Sequence, residues 1–227
     1  MRTAVFIQVR LGSTRLPRKA LLPLRGGNVI QHVMRAMTGV PADVRALLTD
    51  MHSAGELGPF AQTEGYEVFP GPDEDVLSRY CMACRAFDAG TVIRVTGDNP
   101  LTSGRLAREI LALHAAQGAD LSHYLGIPWG MGVEVVQSSA LFAAEQEARA
   151  ADEREHITTW LYRNRERFSI LEPEAPASAR LPDAVVTVDT PRDYQRVSAI
   201  FESLGRAGEP IEAEQVIAWF QSGAANG

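Results

Sequence analysis

Short β-branched runs alternating with helical patterns limit most strongly what this chain can fold into. Residues 3–9, 44–48, 66–69 and 91–95 read as strands, with helices expected over residues 28–37, 53–64 and 73–87. The first run is apolar at nearly every position, as a strand buried on both faces requires. After the fourth run, Leu106, Ile110 and Leu113 share one helix face at i, i+4 and i+7. Strand followed by helix, repeated from residue 3 to about 117, predicts βαβ units. The expected fold is therefore α/β, a mostly parallel sheet with helices on both faces. The 227 residues suit one domain, 1–227, with a full core of its own.

The second half is less regular. Strands are expected at residues 120–124, 133–137 and 185–188, and helices at 139–149 and 153–165. Thr190-Pro191-Arg192-Asp193 opens a last helix, with Thr190 as N-cap, Pro191 at N1 and Asp193 as the capping-box acid. Tyr194, Val197, Phe201 and Leu204 form its apolar face.

In open parallel sheets ligands bind at the carboxyl ends of the strands, so the loops leaving those ends matter most. The first reads Arg10-Leu11-Gly12-Ser13-Thr14-Arg15-Leu16-Pro17-Arg18-Lys19. Gly12 allows close backbone approach, Ser13 and Thr14 offer hydroxyls, and the cations can neutralise a triphosphate. Gly97-Asp98-Asn99-Pro100 and Val188-Asp189-Thr190-Pro191 each put a carboxylate after a strand, in a turn fixed by proline. One such Asp reads as a turn residue, but two opposite a cationic loop can share a hard divalent cation such as Mg²⁺.

Charge supports a local anion site. The net charge is −6, yet residues 1–42 hold no Asp or Glu and carry seven cations, Arg2, Arg10, Arg15, Arg18, Lys19, Arg25 and Arg35. An acidic chain with one basic end does not fit a nucleic-acid groove. Lys19 is the single lysine of the chain, and it lies in the first loop. No apolar run is long enough for a membrane span, and two cysteines suit a reducing compartment, so a cytoplasmic protein is expected. Cys81 and Cys84 fall inside a predicted helix and read as core residues, with no second pair to complete a zinc site. His32, His52 and His114 read as surface or packing residues, whereas His123 and His156 are site candidates. Arg94 and Glu134 sit in strands, where a buried charge needs a partner or a ligand.

The loops and their neighbours resemble one family. Ile7-Gln8-Val9-Arg10-Leu11-Gly12-Ser13-Thr14-Arg15-Leu16-Pro17 with Lys19 is similar to the motif of the cytidylyltransferases that activate acidic sugars. These include the 3-deoxy-manno-octulosonate and acylneuraminate enzymes. The match is to the spore-coat-polysaccharide-type branch. It runs through Asp73-Glu74-Asp75-Val76-Leu77-Ser78-Arg79-Tyr80, Arg94-Val95-Thr96-Gly97-Asp98-Asn99-Pro100-Leu101, Val133-Glu134-Val135, Arg154-Glu155-His156-Ile157-Thr158 and Asp189-Thr190-Pro191. The segments follow family order from the first strand to about Val197. Pro72, Thr102-Ser103 and the loop 126–132 depart from the family pattern.

The resemblance implies a Rossmann-like nucleotidyltransferase fold and Mg²⁺ on Asp98 and Asp189. It implies triphosphate contacts from Arg10, Ser13, Arg15 and Lys19, base and ribose contacts near Asp75 and Arg79, and a homodimer. The expected reaction is transfer of CMP from CTP to a small acidic acceptor, with pyrophosphate released. His123, Tyr124, Glu134 and His156 are the expected acceptor contacts, and Gly12 and Arg94 are counted with the nucleotide site. Two other readings stand beside this one. A glycosyltransferase would use a sugar nucleotide, and Asp73-Glu74-Asp75 formally fits its D-x-D metal motif. A non-catalytic nucleotide-binding module need not keep a metal pair.

Overall fold

In the first strand Ala4 and Phe6 face one side, Val5 and Ile7 face the other, and all four are fully buried. The sheet around it is covered on both faces, as the apolar run requires. The computed structural model describes residues 1–206 and 209–223. The first half contains β1 (Arg2–Gln8), a small hairpin of β2 (Pro23–Leu24) and β3 (Gly27–Asn28), α1 (Val29–Met37), β4 (Val44–Asp50) and α2 (Met51–Thr63). It continues with β5 (Glu67–Gly71), α3 (Val76–Phe87), β6 (Ala89–Thr96) and α4 (Gly104–Gln117). The second half adds β7 (Leu121–Ser122), β8 (Glu134–Gln137), α5 (Ser138–Glu147), α6 (Ala151–Glu155) and α7 (Thr159–Arg163). Last come β9 (Ile170–Leu171), α8 (Pro191–Leu204) and α9 (Ala213–Gln221).

Seven strands form one sheet in the order β5-β4-β1-β6-β8-β7-β9. β5, β4, β1 and β6 are mutually parallel, β8 runs antiparallel to β6 and to β7, and β9 is parallel to β7. Gln8 pairs with Leu48 on one side and Thr96 on the other, so β1, β4 and β6 end level. The loops after β1 and β6, with Lys19 and Asp98, leave from that edge. Helices α1, α2 and α4 pack Ile30, Met34, Leu57 and Ile110 against Val5 and Ile7. Helices α3 and α5 pack Leu77, Tyr80 and Leu141 against Phe6 on the opposite face. A third core joins α8 and α9 to Leu101, Leu106, Val186 and Val188.

Several expectations need correction. Residues 185–188 do not join the sheet; Val185 makes only an isolated bridge with Trp129. The backbone of this segment bonds to two loops instead, Val186 N to Trp129 O at 2.8 Å and Val188 N to Asp98 O at 2.9 Å. The helix expected over residues 153–165 breaks at His156 (φ −104°, ψ 90°), which turns Ile157, Trp160 and Leu161 into the core. The strand at residues 120–124 shortens to β7, and α3 begins at Val76 with Asp75 as its N-cap. On α4 Leu113 is exposed while His114 is buried, its ring bonded to Ser122 Oγ and Gln137 Nε2. Cys81 and Cys84 are buried free thiols, and burial pushes the Cys84 thiol up to about 12. No helix of the described residues is long and apolar enough to cross a membrane.

Candidate active site

At the end of β6 the chain turns sharply at Gly97, whose N–H donates to Gln8 O at 2.8 Å. A Cβ there would stand 2.7 Å from Val9 Cβ, so only glycine lets the turn lie against the β1 loop. Asn99 Nδ2 donates to Thr96 Oγ1 at 2.6 Å and Thr102 Oγ1 donates to Asn99 O at 2.7 Å, fixing the turn that carries Asp98. Asp189 leads into α8, whose first turn is held by the Thr190–Asp193 capping box. The Val188 N to Asp98 O bond then sets the two aspartates side by side.

Lys19 meets both. Its Nζ donates to Asp98 Oδ2 at 2.6 Å and to Asp189 Oδ1 at 2.7 Å, so the two oxygens lie no more than 5.3 Å apart. Arg15 Nη2 adds a contact at 3.2 Å to Asp189 Oδ1. The route to this geometry is local: Arg18 takes a left-handed conformation (φ 57°), pairs with Glu56, and hands the chain to a tight 3-10 turn over Lys19–Leu21. Burial pulls the Lys19 pKa down, but Asp98 and Asp189 outweigh it and hold the ammonium above its ordinary value. No group of three or more His, Cys, Asp or Glu among the described residues is arranged to hold a metal. The Asp98–Asp189 pair fits a hard divalent ion of the Mg²⁺ type, which commonly takes one or two protein carboxylates and completes its shell with phosphate and water. An ammonium already standing between the two carboxylates shows that the pair accepts a cation.

A cavity of about 1010 Å³ opens at this edge and contains Arg10, Ser13, Arg15, Lys19, Asp98 and Asp189 in its wall. Arg79, Arg94, His123, Tyr124, Glu134 and His156 also line it. The structure thus brings most of the expected residues together. Gly12 lies instead in a smaller adjoining pocket that shares Arg10, and a Cβ there would meet nothing within 4 Å. Asp75, expected near base and ribose, is off the main wall. Its carboxylate caps α3 through Ser78 N at 2.9 Å and receives Arg154 Nε at 3.0 Å. Arg79 is almost fully buried, with Nη2 3.4 Å from Asp73 O and Nε without a partner among the described residues. Burial lowers its pKa.

The far wall is a charge network. Glu134 accepts Arg94 Nη1 at 2.6 Å, Tyr162 OH at 2.9 Å and Thr158 Oγ1 at 3.1 Å. Burial alone would raise its pKa, but Arg94 and the hydrogen bonds keep the carboxyl below its ordinary range. Arg94 Nε also donates to Gln8 Oε1 at 3.0 Å, and His123 Nε2 lies 3.1 Å from Glu172 Oε1. Sequence reasoning missed Gln8, Tyr162, Glu172 and Trp129, all on the cavity wall. Gln8 had a signal, a polar side chain at the end of a buried strand. Tyr162 and Glu172 had none, because only the break at His156 and the β7–β9 pairing carry them there.

The class of protein follows from this edge and from its likenesses. A cytidylyltransferase from Leptospira borgpetersenii superposes with a TM-score of 0.90 at 23% identity, over 99% of this chain and 96% of that one. CMP:2-keto-3-deoxy-manno-octonic acid synthetase, solved in complex with CTP, gives a TM-score of 0.68 at 18% identity, over 89% of this chain and 99% of that one. The fold is that of the nucleotidyltransferases. Residues 4–209 match the cytidylyltransferase family model. The spore coat polysaccharide biosynthesis protein SpsF of Bacillus subtilis is 31% identical over 219 residues, covering 93% of this chain and 90% of that protein. The chain belongs to the cytidylyltransferase family.

Proposed function

We propose that this protein transfers CMP from CTP to an oxygen of a small acidic sugar or related acceptor and releases pyrophosphate, with Mg²⁺ held by Asp98 and Asp189. The observation that carries the proposal is the convergence of both carboxylates on Lys19, 2.6 and 2.7 Å from one nitrogen. Family membership supports the reaction class, and the CTP complex of the related synthetase supports the nucleotide. The likeness to SpsF supports a product used in polysaccharide synthesis.

In this reading the acceptor oxygen bonds to the α-phosphorus while the bond from that phosphorus to the bridging oxygen breaks, and the electron pair leaves with pyrophosphate. Lys19, Arg10 and Arg15 orient the β- and γ-phosphates and offset their charge, so the protein acts mainly by positioning and electrostatics. Bound Mg²⁺ supplies a fixed positive charge beside the triphosphate. Ser13 and the backbone around Gly12 donate to phosphate oxygens, and Arg79 reads the base. Arg94 and Glu134 brace the wall on which His123, Tyr124 and His156 meet the acceptor. The assembly is a homodimer and its place is the cytoplasm, in keeping with two buried free thiols.

The test is pyrophosphate release from the four ribonucleoside triphosphates against a panel of acidic sugars and phosphonates. CTP alone should support turnover, and chelation should stop it. Equal rates with CTP, UTP and ATP would remove base selection, while a sugar-nucleotide-using enzyme would release no pyrophosphate. Asp98→Asn, Asp189→Asn and Lys19→Ala should each lower kcat by about 10²–10³ with the circular dichroism spectrum unchanged. Full activity in either Asp variant would overturn the metal assignment.

A further inference from the structure

Lys19 Nζ occupies the point on which the Asp98 and Asp189 oxygens converge. Two carboxylates held this close repel unless a cation lies between them, and in this protein the cation is part of the chain. The backbone beneath it is fixed, with Ala20 buried and Leu21 and Leu22 N–H groups bonded to Arg18 O and Lys19 O. The side chain is different. It is a flexible four-carbon stem whose head lines the cavity, so rotation about the stem moves the ammonium from the carboxylates into the cavity with no backbone change. Arg15 is mostly exposed and reaches only Asp189, so it does not fill the same place.

We infer that Lys19 is a built-in tenant of the divalent-cation position: it offsets the charge of Asp98 and Asp189 in the nucleotide-free protein and moves to the triphosphate when metal and nucleotide enter together. The inference rests on the reading of Asp98 and Asp189 as the metal pair and adds an order of events to it. A divalent ion arriving alone must expel an ammonium from two short charged contacts and leave it in a cavity already rich in arginine. The same ion arriving with a triphosphate brings phosphate oxygens that receive the expelled ammonium. Free metal therefore binds weakly and the metal–nucleotide complex binds well. The carboxylates keep a resident counter-charge between turnovers, and the site does not collect loose divalent ions.

Because Lys19 is the only lysine, protein grown with [13Cε]lysine shows one side-chain signal, and that signal reports this ammonium alone. The signal should hold its position when millimolar Mg²⁺ is added and shift when Mg²⁺ and CTP are added together. In parallel, Mn²⁺ binding to nucleotide-free protein is read by electron paramagnetic resonance. Lys19→Met should bind Mn²⁺ at least about tenfold more tightly than wild type, since the competing charge is gone, and adding Asp98→Asn should abolish the gain. Equal Mn²⁺ affinity in wild type and Lys19→Met would overturn the inference. So would a lysine signal that moves fully with Mg²⁺ alone, or one that ignores Mg²⁺ with CTP. If Lys19→Met does not fold, the lysine signal of the wild type decides by itself. Pyrophosphate release by the wild type is read separately. Its presence with a static lysine signal rejects only the tenant role, and its absence with CTP rejects the proposed function.

Discussion

At the residue scale, charge placement separates side chains that face ligand from those that hold the frame. Glu134 has every oxygen engaged by Arg94, Tyr162 and Thr158, so it acts through its neighbours and not by reaching out. His32 is a frame residue of another kind. It is buried, its ring lies 4.4 Å from that of Phe201, and burial first and Arg35 second pull its pKa down to about 4. The unfolded chain takes up this proton below about pH 6.5, whereas the folded protein resists it until about 4, so unfolding is favoured as pH falls between the two. Urea unfolding should show up to about 3 kcal/mol of stability lost across that window from this group, and His32→Leu should lose that part of the slope. A wild type and variant with the same pH slope would reject the assignment.

At the element scale, helix ends and strand ends place the chemistry. The N-cap of α8, Thr190, directly follows Asp189, and its capping box fixes the backbone from which that carboxylate projects. Thr190→Ala should cost about 1 kcal/mol in thermal or urea unfolding, the usual loss of a good N-cap. Its kcat should fall by more than that loss of folded protein explains, because Asp189 is freed from a fixed turn. An unchanged kcat with lowered stability would show that the cap serves the fold alone. The sequence announced this element fully, since Thr190-Pro191-Arg192-Asp193 is a local signal. Residues 185–188 carried a strand-like signal too, yet their hydrogen-bond partners are the turns at Trp129 and Asp98, which no local pattern can name.

At the scale of the whole molecule, the parallel half supplies the edge proposed for the nucleotide, and the antiparallel strands β8 and β7 extend the sheet on the side proposed for the acceptor. The second half also exposes apolar side chains beside the cavity, Trp129 at 71% and Leu125 at 38%, with Val185 paired to Trp129. Exposed apolar residues that form a contiguous patch are common on surfaces that meet another body. The proposed homodimer would use this later segment, and sedimentation at micromolar protein should give twice the chain mass. A monomer at tens of micromolar would reject it.

The sequence by itself determined the βαβ order, the buried first strand, the cationic loop, Asp98 at the end of its strand and the α8 cap that follows Asp189. Each depends on neighbours within a few residues, through periodicity, turn chemistry or a capping pair. Tertiary structure alone decided that Asp98 and Asp189, far apart in sequence, share one lysine, because the Val188–Asp98 backbone bond and the Gly97 turn bring them together. It alone decided that Asp75 serves a helix cap and Arg154, and that Tyr162 and Glu172 join the cavity wall. The physical reason is the same in each case. Local sequence sets what a segment prefers, whereas the partner of a charge or of an unpaired backbone group is chosen by whatever the packed core brings within reach.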